Sequence, residues 1–93
     1  MAILLDLTHA RRARRLFHLL VERHGIRHFL LGGQEAAFRI DPARLDEAVA
    51  LCGSWLECRT GREVNPEMAA WLRQDLRRTL IQRVAECMVQ AGY

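Results

Sequence analysis

Apolar residues recur along this chain in several rhythms, and each rhythm predicts an element. Ile3, Leu4, Leu5 and Leu7 make a short apolar run that reads as a buried strand. Ala10, Ala13, Leu16, Phe17, Leu20 and Val21 then follow at steps of three and four residues. That spacing predicts an amphipathic helix from His9 to about His24, with Thr8 as N-cap and Gly25 as its stop. From Ile26 to Ile40 the pattern changes to two apolar runs around Gly32-Gly33-Gln34-Glu35, which reads as a hairpin. With Gly33-Gln34 as the two turn residues, Leu31 pairs with Ala36 and Phe29 with Phe38. Phe29, Phe38 and Ile40 then share the core face, and His28 and Arg39 the outer one.

Two further helices have clear starting signals. Asp41-Pro42 supplies a cap and a first-turn proline, and Leu45, Ala48, Val49, Cys52, Trp55 and Leu56 line one face up to Gly61. Asn65-Pro66-Glu67 repeats the signal and opens a third helix running towards Ala91, with no internal Gly or Pro. At 1.5 Å per residue that helix is about 40 Å long, more than a domain of this size spans. Its residues Leu72, Leu76, Leu80, Val84 and Met88 recur at four-residue steps, so the stripe drifts around the helix. Two outcomes accommodate it. Either the helix breaks near Arg78–Thr79 and folds back, or its C-terminal half, around Ile81, Ala85, Met88 and Val89, packs on another chain.

The expected fold is therefore α+β, in the order β-α-β-β-α-α. A right-handed crossover and a hairpin return place the third strand between the first two. The result is a small three-stranded sheet with helices packed on one face and a long C-terminal helix. Residues 1–93 suffice for one domain and a real core. The N-terminus lacks a basic signal region, and no apolar run approaches a membrane span, so a cytoplasmic protein without membrane contact is expected. Cys52, Cys58 and Cys87 are odd in number, which fits free thiols in a reducing compartment.

Charge changes this picture more than composition does. All 14 Lys+Arg residues are Arg. Arg codons are rich in G and C, so a GC-rich genome raises this count without selection for nucleic-acid binding. Position is more informative than number. Between Thr8 and His28 six arginines stand against one acid, Glu22. Between Gln34 and Glu57 only Arg39 and Arg44 stand against five acids. From Cys58 onward six arginines stand against four acids. Arg11, Arg12, Arg14 and Arg15 sit in the first two turns of their helix, where the dipole favours acids, and Arg11 and Arg15 are a like-charged i,i+4 pair. Three things can answer that charge: the acidic second helix lying beside it, a nucleic-acid backbone, or an acidic partner protein.

Catalytic patterns are absent: there is no phosphate-binding glycine loop, no metal-ligand spacing and no nucleophile motif. Gly25 separates His24 from His28, and His24 falls on the apolar stripe as a partly buried side chain. Cys52 and Cys87 fall on apolar faces and read as core, whereas Cys58 lies at a helix C-terminus, where a thiolate is disfavoured. No metal, cofactor or enzymatic activity is expected. Trp71, Arg77 and Met88 are residue types enriched at protein interfaces. The expectation is a small protein-binding module of adaptor, inhibitor or regulatory type, of bacterial or phage origin. It docks through Arg11, Arg12, Arg14 and Arg15 and through Trp71, Arg77, Arg78 and Met88, with a homodimer through the third helix as one form of partner. The alternatives are a nucleic-acid-binding regulator using the same arginines and an accessory subunit of an enzyme. No aromatic residue interleaves with the first-helix arginines as a stacking platform requires.

Overall fold

A computed structural model describes residues 7–31 and 39–90. Three helices dominate them: α1 (Leu7–His24), α2 (Pro42–Thr60) and α3 (Pro66–Gln90). A single 3-10 turn, Ile26–Phe29, follows α1 and leads into strand β1 (Leu30–Leu31), which pairs antiparallel with β2 (Arg39–Ile40). The expected three-stranded sheet is not formed; the described residues contain one two-stranded pair. Residues 3–6 of the expected first strand lie outside the described residues, while Leu7 and Thr8 already belong to α1. A short apolar run fits a strand or a buried helix equally well by periodicity, and here its last residue continues the helical rhythm that follows.

The expected hairpin register also differs. Leu30 faces Ile40 and Leu31 faces Arg39, and the Asp41 N–H donates to the Phe29 carbonyl at 2.8 Å. Leu31 therefore has Arg39 as its partner, while the expected partners Ala36 and Phe38 lie outside the described residues. Gly25 explains part of the change. At φ 83° and ψ 150° it turns the chain sharply out of α1, and its N–H donates to the Val21 carbonyl at 2.8 Å. Phe29 thus enters the core from a 3-10 turn rather than a strand, where its ring meets Phe17 at 5.5 Å and 58°.

The helix signals of the second half are realised. The Asp41 carboxylate accepts from the backbone N–H of Ala43 (3.0 Å) and of Arg44 (3.4 Å), with Pro42 in the first turn. Gly61, at φ 69° in the left-handed region, closes α2, and its N–H donates to the Glu57 carbonyl. The Asn65 side chain accepts from the Met68 N–H at 2.8 Å and starts α3.

Helix α3 is continuous through Arg78–Thr79, so it neither breaks nor folds back. Its 25 residues extend about 37 Å, and the molecule is correspondingly elongated, 46 × 22 × 20 Å. The drifting stripe is what makes this possible. Leu72, Leu76, Leu80 and Val84 are all buried, together with Ala13, Phe17 and Val21 of α1 and Leu45, Cys52 and Leu56 of α2. A stripe that turns as it runs serves both neighbouring helices without a bend. With three helices closing the core against one another, little apolar surface is left for a sheet to cover.

The caps give a direct check. Asp41→Ala removes the acceptor for two N–H groups and is expected to cost about 1 kcal/mol. Gly61→Ala forces a side chain into the left-handed region and is expected to cost about as much. Both are read from urea-denaturation midpoints.

Candidate docking surface

The first-helix arginines do not share one fate. Arg14 reaches across to α3, where Nε donates to Asp75 Oδ2 at 2.8 Å and an Nη donates to Asp75 Oδ1 at 3.0 Å. This two-pronged geometry matches a planar guanidinium to a carboxylate. Asp75 is buried, with its side chain only 11% exposed, while that of Arg14 is 37% exposed. Hydrogen bonding to Asp75 raises the Arg14 pKa above its ordinary value, opposed by desolvation and assisted by the carboxylate charge. An acid on the buried face of α3 is tolerable because the cation meets it there.

Among the described residues, the acidic second helix, one of the three possible answers to the first-helix charge, forms no ion pair with it. Its Asp46 accepts from Arg73 of α3 at 2.7 Å, and its Glu47 from Arg44 of the same helix at 3.3 Å. Arg11, Arg12 and Arg15 are exposed and make no ion pair among the described residues.

Helical geometry then sorts the remaining candidates around the Arg14–Asp75 bridge. Trp71 precedes Asp75 by four residues and Arg78 follows it by three, so both sit on that side of α3. Arg11 precedes Arg14 by three residues, and Arg15 is the next residue out on α1. All four are exposed, Trp71 by 44%. They flank the outer side of one α1/α3 seam. Two candidates point elsewhere: Arg12 precedes Arg14 by two residues and Arg77 follows Asp75 by two, each about 200° around its helix. Met88 is half-buried and packs against the core.

Among the described residues no cluster of three or more His, Cys, Asp or Glu is placed to hold a metal. His24 is exposed rather than partly buried. Its ring stacks on His28 at 4.6 Å, beside a cavity of about 100 Å³ lined also by Leu20, Phe29, Arg44 and Glu47. Cys87 is exposed rather than in the core, because α3's stripe has turned away from it by that point. Cys52 is buried, with Sγ 3.8 Å from the Ala13 carbonyl oxygen, and burial pushes its thiol up to about 12. No helix among the described residues is long and apolar enough to cross a membrane. No protein-family model matches the sequence, and no curated protein or solved structure matches it significantly.

Asp75 is the residue that sequence reasoning passed over. Its signal was legible: it falls three residues after Leu72 and one before Leu76, on the buried side of an apolar stripe. A carboxylate there demands a cation from another element.

Two measurements follow. Arg14→Ala strands a mostly buried carboxylate and is expected to cost about 2–3 kcal/mol, whereas Asp75→Ala leaves a guanidinium that can turn to water and costs about 1–2 kcal/mol. The double variant costs less than the sum, as read in a denaturant cycle. For the thiols, a disulfide reagent added to the native protein is expected to titrate Cys58 and Cys87 quickly and Cys52 only on unfolding. The raised Cys52 pKa also makes stability fall between about pH 9 and about pH 12. There the unfolded thiol loses its proton and the folded one keeps it. Cys52→Ala flattens that slope.

Proposed function

We propose that the chain is a small non-catalytic protein-binding module, of adaptor, inhibitor or regulatory type, that docks an acidic partner on the α1/α3 seam. One observation carries the reading. The Arg14–Asp75 bridge, at 2.8 and 3.0 Å, fixes α3 against α1. Arg11, Arg15, Arg78 and the exposed Trp71 then flank one seam, and none of the three arginines has an internal ion pair among the described residues. Arginine and tryptophan are the side chains that most often anchor protein interfaces. The arginines steer an acidic surface towards the seam, and Trp71 supplies apolar area once it arrives.

The exposed Trp71, on the same side of α3 as Arg78 two turns on, also suits base stacking, so nucleic acid is the second reading. Affinity capture from the native cell separates the two. Wild-type protein is expected to retain an acidic protein partner that an Arg11→Gln/Arg15→Gln/Arg78→Gln/Trp71→Ala variant loses by at least about tenfold. Equal capture by that variant sinks the choice of surface. Binding to random duplex and single strands across a salt series is expected to be weak. A steep salt slope that disappears in the variant transfers the proposal to nucleic acid.

A further inference from the structure

A second concave surface lies on the opposite side of α3. It has a volume of about 500 Å³ and runs between β2, the start of α2 and the middle of α3. That volume falls in the range of ligand-binding clefts. Its lining combines apolar side chains, Ile40, Pro42, Leu45 and Ile81, with three arginines, Arg39, Arg73 and Arg77. Arg77 belongs here rather than to the seam because it sits about 200° around α3 from Asp75.

The charge of this groove is unbalanced. Asp46 holds Arg73 at 2.7 Å, and the nearby Asp41 carboxylate is committed to the α2 N-terminus. Arg39 and Arg77 are exposed and have no ion-pair partner among the described residues. Two guanidiniums with no ion-pair partner among the described residues thus line the same groove as the aliphatic Ile81, itself 40% exposed. Arg39 and Ile40 constitute β2, and among the described residues β2 has a strand partner on one edge alone. An extended backbone can lie along such a strand while its side chains alternate between the two kinds of lining.

We propose that this groove is a binding site for a short acidic peptide segment of a protein partner. In that segment carboxylate side chains alternate with aliphatic ones. The carboxylates pair with Arg39 and Arg77, and an aliphatic side chain rests on Ile40, Leu45 and Ile81. Guanidinium–carboxylate pairing selects for acid, and the aliphatic lining selects against purely polar acidic chains. The site is separate from the α1/α3 seam and stands or falls independently of it.

The test titrates the full-length, 15N-labelled protein with a hexapeptide of alternating glutamate and leucine. The expected result is saturable amide shifts at Arg39, Ile40, Arg73, Arg77 and Ile81. Affinity is expected to fall at least about tenfold in an Arg39→Ala/Arg77→Ala variant and to persist in Arg11→Ala/Arg15→Ala. Replacing leucine by serine, or glutamate by lysine, weakens the peptide. Arg39 and Arg77 are exposed, so their truncation leaves the fold intact, which unchanged core resonances verify; Ile81→Ser provides a second variant with the same expected loss. The proposal is overturned by any of four results: no saturable shift at millimolar peptide, undiminished binding by the Arg39→Ala/Arg77→Ala variant, shifts confined to the α1/α3 seam, or hexanoate binding as tightly as the peptide.

Discussion

Everything else in this molecule hangs on a stripe of leucines that turns as it travels. Spaced four apart on a helix of 3.6 residues per turn, Leu72, Leu76, Leu80 and Val84 advance around α3 with each step. All four are buried, and they share one core with Phe17 and Val21 of α1 and with Leu45 and Leu56 of α2. One straight helix thereby closes a three-helix core. Burial of these side chains is the main favourable term, at about 1.5–3 kcal/mol for each large one. Asp75 and Thr79 lie within the same stripe, so the polar connection between α1 and α3 is built into the packing surface itself.

That placement explains how the molecule distributes its charge. Asp75 is spent inside, on Arg14, and Asp46 and Glu47 are spent on Arg73 and Arg44. The surface left over is basic on two sides of α3. One side presents Arg11, Arg15 and Arg78 with an aromatic ring; the other presents Arg39 and Arg77 with aliphatic side chains. Different apolar partners of the same cation suit different ligands: an aromatic ring offers a flat face, and an aliphatic lining offers depth.

Sequence reasoning reached the helices more readily than the sheet, for a physical reason. Caps are local: Asp41 accepts from residues two and three places on, and Gly61 and Asn65 act within one turn, so their signals lie inside a short window. Strand pairing is not local. The register of Leu30 against Ile40 depends on how Gly25 redirects the chain and on where Phe29 finds room beside Phe17. The proposed docking surface was legible only in part. Arg11, Arg15, Trp71 and Arg78 stand out by residue type, but what brings them to one seam is an ion pair between residues 61 positions apart. Arg12 and Arg77 share that residue type yet face away, and Met88 turns into the core. The groove above Ile40 and Leu45 has no contiguous sequence signature, because three elements contribute to it.

The turning stripe also sets which lengths the chain can tolerate. Adding one residue within α3 rotates everything beyond it by about 100° relative to what came before. Placed before Leu76, such an insertion swings Leu80 and Val84 off the core and carries Arg77 out of its groove, while Trp71 keeps its place. Added between Gly61 and Asn65, the same residue only lengthens a link whose two ends are fixed by their own caps. The chain therefore has a segment where length is information and one where it is slack, and they adjoin each other.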